Sequence, residues 1–192
     1  LHTPHQAGII ENMLRQRMPA FVMVDPVMAD NGAFYSGLSE ATAQAMRTLA
    51  AYASVITPNV TEAALLTGQA GLLRGPLSDA DVRALLDGLL ALGTKAAVVT
   101  GCFLAQENMH YVYGRSADGP VFRFAYRHSA VRRFGTGDTF SAILAGCLMR
   151  GQSLEESASA AVRFLSRAFE QAQSQPSCED GFTLESLLGE LP

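Results

Sequence analysis

Three short runs of consecutive apolar residues constrain the fold of this chain more than any other feature. They are FVMVD (21–25), SVIT (54–57) and KAAVVT (95–100). Apolar residues in these runs do not alternate with polar ones, which is typical of strands buried on both faces. Segments with helical periodicity lie between and after them, at 39–52, 62–68 and 78–92. This alternation predicts an α/β fold with a mostly parallel central sheet flanked by helices on both faces.

Further elements are predicted towards the two ends of the chain. PHQAGIIENMLRQRM (4–18) has helical periodicity, and Thr61 is the predicted cap of the helix after the second strand. MHYVYG and VFRFAYR predict an antiparallel hairpin within 109–127, and two helices follow at about 138–149 and 154–173. We interpret 1–192 as a single domain. Because it begins at a helix, where an open α/β domain normally begins with a strand, we expect an N-terminal portion to be absent.

Composition excludes several classes of partner. The net charge is −4, and no cluster of Lys and Arg interleaves with aromatic residues, so we expect neither nucleic acid nor a membrane surface as a partner. No apolar run approaches the roughly 18 residues that span a bilayer. The three cysteines are an odd number and widely spaced, which favours reduced thiols and a cytoplasmic protein.

Polar residues collect where the predicted strands end. In open parallel sheets, ligands bind beyond the carboxyl ends of the strands, so side chains from separate loops meet at one edge. The candidates after the three strands are Asp25, Asp30, Asn59, Glu62 and Thr100, and the turn Gly135-Thr136-Gly137-Asp138 opens a later helix. Together they supply carboxylates, an amide, a hydroxyl and glycines to the predicted edge.

This set of groups suits phosphoryl transfer. Asp30 and Glu62 could hold Mg²⁺, whose coordination is usually completed by waters and substrate phosphates. Gly135 and Gly137 let backbone N–H groups approach a phosphate, and a helix N-terminus favours its negative charge. Asp138 is placed to accept a proton from an attacking alcohol, although a carboxylate at a helix start can also be simply a cap.

Three segments taken together resemble the pyridoxal kinase family, in the vitamin-kinase branch of the ribokinase superfamily. They are DPVMADNGAFY, TPNVTEAALLTG and GTGDTFSAILAG, in that order along the chain. The resemblance implies a ribokinase-like fold, of which this chain would be the C-terminal nucleotide-binding and catalytic part. It also implies ATP-dependent phosphorylation of the 5′-hydroxymethyl group of pyridoxal, pyridoxine or pyridoxamine, with Mg²⁺, and a homodimer. A requirement for K⁺ is left open.

The resemblance also implies roles for individual residues. Asp138 matches the catalytic base, and Gly135, Thr136 and Gly137 match the anion hole over the transferring phosphate. Asp25, Asp30 and Glu62 match the carboxylates that organise Mg²⁺ and the nucleotide phosphates. The remaining matches are Asn59 and Thr100, which would contact the phosphates, and Tyr35, which would lie near the nucleotide. Arg132 and Arg133 could place a cation near the same phosphates.

Two departures from the family pattern affect these expectations. The family has DPVMGD where this chain has Ala29, and alanine would cost about 1 kcal/mol if that position requires a positive φ. The residues that bind the vitamin ring would lie mostly upstream of Leu1.

Other functions stay open at this stage. Hydroxymethylpyrimidine kinases share the fold but often carry Cys at the position of Asp138, and sugar kinases more often carry GAGD. A non-catalytic nucleotide- or vitamin-binding regulator is an alternative of another class, although a binder has no need of a base. A Walker-type NTPase is excluded because no GxxxxGK[ST] motif occurs.

Overall fold

The computed structural model of the chain describes residues 1–127, 135–174 and 184–191. The chain divides into two units, Leu1–Arg123 and Phe124–Pro192. The first unit carries the loops that follow the predicted strands, and the second carries the glycine-rich turn. The interpretation of 1–192 as a single domain stays a prediction.

Four of the five strands of a mixed sheet lie in the first unit, and the fifth runs across its boundary at Arg123. The strands of this sheet are β1 (Met23–Val24), β4 (Val55–Ile56), β5 (Ala96–Leu104), β6 (Met109–Ser116) and β7 (Phe122–Tyr126), in the order β1-β4-β5-β6-β7. A separate two-stranded sheet is formed by β2 (Ala29–Asp30) and β3 (Ala33–Phe34). β1, β4 and β5 pair in parallel, whereas β5 and β6 pair antiparallel. The α/β class is confirmed, and the sheet is mixed because the hairpin strands extend its parallel part.

Six α-helices lie before, between and after these strands in the described parts of the chain. They are α1 (Pro4–Arg17), α2 (Glu40–Ala50), α3 (Val60–Leu66), α4 (Asp79–Ala91), α5 (Thr136–Met149) and α6 (Leu154–Ser174). Reciprocal capping boxes begin α1, α3 and α4, at Thr3, Asn59 and Ser78, whereas at the start of α2 the N–H of Ser39 donates to Oγ1 of Thr42. The prediction that Thr61 caps α3 is wrong, because Asn59 and Glu62 three residues later bond each other's backbone N–H groups.

The core of the first unit lies where α3 and α4 pack against β5. Val99 on the strand and Leu85, Leu86 and Leu89 on α4 are fully buried and belong to one continuous apolar cluster. Ile56 on β4 belongs to the same cluster. The consecutive apolar residues of the strands are therefore explained by burial, and this packing fixes where each strand delivers its last residues.

The second unit contains a pair of packed helices, α5 and α6. Phe140, Leu144 and Cys147 on α5 are buried, as are Ala161 and Phe164 on α6. Within the parts of the chain that are described, no helix is long and apolar enough to cross a membrane.

Candidate functional site

A tight hairpin follows the first strand of the main sheet. β2 and β3 are joined by Asn31 and Gly32, whose φ angles are 51° and 80°. Two successive positive φ values define the type I′ turn that antiparallel hairpins favour, and Asn-Gly is its preferred sequence. Ala29 lies in β2, is fully buried and has no positive φ. Alanine therefore fits this position without the backbone strain that a positive φ would have caused.

Glu62 ties this hairpin loop to the start of α3. Its Oε1 accepts hydrogen bonds from the backbone N–H groups of Met28 (2.9 Å) and Ala29 (3.4 Å). Its Oε2 accepts one from the N–H of Asn59 (2.9 Å). The residue is only 3% exposed. The carboxylate thus organises two segments of backbone, and the expectation that it also binds Mg²⁺ stays a prediction.

Two further polar side chains at the start of α3 contact the same loop. Asn59 donates from Nδ2 to the carbonyl oxygen of Ala29 (2.8 Å), while its Oδ1 accepts from the N–H of Glu62 (2.9 Å). Thr61 accepts from the N–H of Gly32 through Oγ1 (3.0 Å). We call Asn59, Thr61 and Glu62 the α3 clamp. The sequence did not single out Thr61 for this role, because nothing in TPNVTE indicates which distant amide its hydroxyl meets.

The protonation of Glu62 is governed mainly by its burial. Burial raises the pKa of its carboxyl to about 7, and the nearby charge of Asp25 adds to the effect. The backbone N–H bonds from Met28, Asn59 and Ala29 act in the opposite direction. A cation bound near these carboxylates would lower the cost of keeping Glu62 ionised.

The donor set fits Mg²⁺ in its chemistry. Asp25, Asp30 and Glu62 offer the hard oxygen ligands that this ion prefers, usually one or two carboxylates with waters and phosphates. Both carboxylate oxygens of Asp30 accept hydrogen bonds from Asn31, one from N and one from Nδ2, each at 2.9 Å. No group of three or more His, Cys, Asp or Glu side chains is arranged to hold a metal among the described residues.

The sequence predicted that the third strand ends at Thr100, and this prediction is wrong. β5 continues to Leu104, and its register against β6 shifts between Val99 and Cys102, where Gly101 has a φ of 73°. The irregularity lets Thr100 form a parallel bridge with Asn59, and its N–H donates to the carbonyl of Pro58 (3.0 Å). A bulge beside a candidate site commonly redirects a residue in this way.

The first unit therefore brings most of the predicted residues into one connected region. The α3 clamp joins Asn59 and Glu62 to the Asp25–Asp30 loop, and Thr100 is bridged to Asn59. Tyr35 follows the hairpin, with its N–H bonded to the carbonyl of Met28 (3.0 Å) and 39% of its surface exposed. Its predicted place near a nucleotide stays a prediction.

The glycine-rich turn begins α5 in the second unit. Gly135 is the N-cap residue, with a φ of 82°, and accepts the first helical hydrogen bond from Thr139 (2.9 Å). Gly135 itself has no side chain with which to cap the helix. Asp138 is its third residue and is exposed, so it is not the helix cap that the alternative interpretation required.

The described residues leave space open around both glycines of the turn. A Cβ built on Gly135 or Gly137 would meet no atom of the described residues within 4 Å, apart from adjoining backbone. Packing in the described chain thus does not explain glycine at 137, where it weakens a helix. Arg132 and Arg133 lie outside the described residues. That this turn and the α3 clamp serve one site stays a prediction.

Comparison with known proteins supplies the family context. The family model described as phosphomethylpyrimidine kinase matches residues 1–181. The hydroxymethylpyrimidine/phosphomethylpyrimidine kinase of Rhizobium meliloti (strain 1021) is 32% identical over 150 residues, covering 78% of this chain and 54% of the relative. The chain spans about half the length of the curated relatives that it matches.

Solved structures of two pyridoxal kinases share the fold. The enzyme of Lactobacillus plantarum has a TM-score of 0.85 and 31% identity, covering 98% of this chain and 67% of that chain. The ADP complex of the Bacillus subtilis enzyme has a TM-score of 0.71 and 26% identity, covering 86% and 61% respectively. The resemblance to vitamin kinases and the ribokinase-like fold predicted from the sequence are confirmed.

Proposed function

Because the chain belongs to the phosphomethylpyrimidine kinase family, we propose that it is part of an ATP-dependent kinase. The proposed substrates of this kinase are pyridoxal, pyridoxine and pyridoxamine. The reaction would yield the 5′-phosphate of the vitamer, as in vitamin B6 salvage. The observation that carries this proposal is the start of α5. Gly135 is the N-cap residue there, and Asp138, the third residue of the helix, is exposed. A helix N-terminus with open space at its glycines is suited to a phosphate, and an adjacent carboxylate is suited to an alcohol.

The chemistry assigned to the turn is an in-line phosphoryl transfer. The hydroxymethyl oxygen of the vitamer attacks the γ-phosphorus of ATP, the bond to the β–γ bridging oxygen breaks, and ADP leaves. Asp138 accepts the proton of the attacking hydroxyl. Backbone N–H groups around Gly135, Thr136 and Gly137 stabilise the charge on the transferring group.

The first unit is assigned the metal and the remaining phosphates. Asp30 and Glu62 would hold Mg²⁺, with Asp25 contributing charge and Asn59, Thr100 and Tyr35 assigned to the nucleotide. When bound, Mg²⁺ supplies charge neutralisation for the phosphates. Within this assignment, Glu62 has a second task that its hydrogen bonds support, which is to hold the Asp25–Asp30 loop against α3.

A second candidate substrate is hydroxymethylpyrimidine. The Rhizobium relative carries hydroxymethylpyrimidine in its name and the matching family model is named for phosphomethylpyrimidine, while the two solved structures described above are named for pyridoxal. Both substrates present a hydroxymethyl group on a six-membered nitrogen ring, so the same base and anion hole would serve either. The aspartate at 138 favours the pyridoxal branch.

Substrate identity is tested by a panel of acceptors. Full-length gene product with MgATP is offered pyridoxal, pyridoxine, pyridoxamine, hydroxymethylpyrimidine and ribose, and ADP release is measured. We expect turnover of at least one B6 vitamer at a higher kcat/KM than of the pyrimidine. Turnover of hydroxymethylpyrimidine alone would assign the second candidate, and no turnover of any acceptor would favour the non-catalytic regulator. A cytoplasmic homodimer and any K⁺ requirement belong to the same proposal.

A further inference from the structure

In the turn between β2 and β3, the backbone N–H of Gly32 is bound by a distant part of the chain. In a two-residue hairpin the flanking residues, here Asp30 and Ala33, supply the closing hydrogen bonds. The N–H of Gly32 is instead donated to Oγ1 of Thr61, 29 residues away in the sequence, at 3.0 Å. Gly32 is exposed, whereas Thr61 is only 5% exposed.

Each member of the α3 clamp holds a different part of the loop. Glu62 holds the N–H groups of Met28 and Ala29, and Asn59 holds the carbonyl of Ala29. Both contacts precede Asp30, whereas the contact of Thr61 follows it. The backbone is therefore held by hydrogen bonds to α3 both before and after Asp30.

The side chain of Asp30 is coupled to the same turn. Both of its oxygens accept hydrogen bonds from Asn31, which is the residue between Asp30 and the anchored Gly32. Movement of the turn would therefore move the carboxylate together with Asn31. A hydroxyl that fixes Gly32 fixes the orientation of that carboxylate indirectly.

We propose that Thr61 is a positioning residue, which holds the Asn31–Gly32 turn so that the carboxylate of Asp30 is oriented for the magnesium–nucleotide complex. This inference rests on the proposed function, because it assigns Asp30 to the metal. It gives Thr61 a role through its hydroxyl alone, and separates the residue from helix capping, which Asn59 performs.

The test compares two substitutions that differ in the hydroxyl. Thr61→Val keeps the shape and removes the acceptor, whereas Thr61→Ser keeps the acceptor. ADP binding to the full-length gene product is measured by calorimetry with Mg²⁺ and with EDTA. We expect Thr61→Val to raise the Kd of ADP roughly five- to tenfold with Mg²⁺, the scale of one lost hydrogen bond, and to leave the Kd in EDTA within about twofold. Thr61→Ser should stay within about twofold in both.

A merely structural role would give a different pattern. If Thr61→Val lowers Tm but weakens binding equally with and without Mg²⁺, or not at all, the proposal is overturned. If the unsubstituted protein binds ADP while both variants match it, only the positioning role fails. If the unsubstituted protein binds no ADP under either condition, the proposed function fails first and the positioning role with it.

A measurement on the unsubstituted protein covers the case in which Thr61→Val does not fold. Hydrogen exchange of the Gly32 amide should be at least about tenfold slower than in an unstructured peptide, despite the exposure of the turn. Addition of Mg²⁺ and ADP should slow it further. Exchange at the unstructured rate would show that Thr61 does not hold the turn, and would contradict the proposal.

Discussion

Asp138 is the residue on which the proposed chemistry depends most directly. Its side chain is exposed at the third position of α5, and Gly135 occupies the cap position. Asp138→Asn keeps the shape but removes the proton acceptor, so we expect kcat to fall by roughly 10²–10⁴-fold with the Kd of ATP nearly unchanged. Steady-state kinetics and ATP binding on the full-length gene product measure both quantities.

The matched control for this substitution is Glu155→Gln, which also neutralises an exposed carboxylate in the second unit. Its kcat should match that of the unsubstituted protein. If Asp138→Asn retains more than about a tenth of the activity, Asp138 is not the base. If both variants lose activity equally, the loss reflects general charge and not proton transfer.

Glu62 makes stability depend on pH with a sign that is unusual for a carboxylate. Its pKa is raised from 4.5 to about 7 by burial, so the folded state holds the proton more tightly than the unfolded state. Its contribution to the free energy of unfolding is therefore fully present below pH 4.5 and is lost as the pH rises to about 7. The span of this change is about 3 kcal/mol.

Glu62→Gln removes this titration, although it also breaks at least one bond of the α3 clamp. Urea unfolding without divalent cations should show that the destabilisation caused by the substitution is largest near pH 4.5 and shrinks towards pH 7. Glu156→Gln is the control: hydrogen bonds from Ser153 lower the pKa of Glu156, so its contribution to stability is lost mainly below pH 4.5 and the effect of the substitution should stay nearly constant towards pH 7. A constant difference across this pH range would contradict the raised pKa of Glu62.

At the scale of elements, two glycines of α5 allow effects on stability to be distinguished from effects on activity. Gly137 and Gly146 both lie in this helix and are exposed, and no described residue occupies the space where a Cβ would stand. Alanine favours a helix over glycine by about 0.5–1 kcal/mol, so Gly137→Ala and Gly146→Ala should each maintain or raise Tm. Only Gly137→Ala should reduce kcat/KM, because its methyl group would occupy the space assigned to the phosphate.

Thermal unfolding and kinetics of the two alanine variants decide this prediction. Equal activity in both would show that the space at Gly137 is not needed for a phosphate. A fall in the Tm of Gly137→Ala, with no fall for Gly146→Ala, would instead mean that glycine is required there by packing.

The observed strands show which of their bounds could be predicted from the sequence and which could not. Burial of consecutive apolar residues and the prolines after two strands predicted β1 and β4 to within a few residues. The end of β5 was wrong because a glycine such as Gly101 can mark either a strand end or a bulge. Only the pairing with β6, a tertiary contact, distinguishes the two.

At the scale of the whole molecule, ligand binding should appear as added stability. A ligand that binds only the folded state raises the free energy of unfolding by about 2.7 kcal/mol at one hundred times its Kd. We expect MgATP to raise the Tm of the full-length gene product by several degrees, and ATP in EDTA to raise it less. No shift with saturating MgATP would contradict nucleotide binding.

The motifs of the candidate site could be predicted from the sequence, whereas the hydrogen bonds between them could not. The order DPVM, TPNVTE and GTGD along the chain predicted the family, since three motifs in sequence are far more specific than any one. The bonds from Thr61 to Gly32 and from Glu62 to Met28 could not be predicted, because they join a side chain to a backbone amide about 30 residues away. Such contacts depend on the path of the main chain, which no residue type specifies.

The α3 clamp holds the loop through main-chain atoms, the N–H groups of Met28, Ala29 and Gly32 and the carbonyl of Ala29. Substitutions in the loop leave these bonds chemically intact as long as the backbone path survives. An exposed side chain such as Val27 could therefore be exchanged at little risk to the fold. In evolution, the exposed side chains of such a loop can change by single mutations while the bonds that fix its main-chain path are kept.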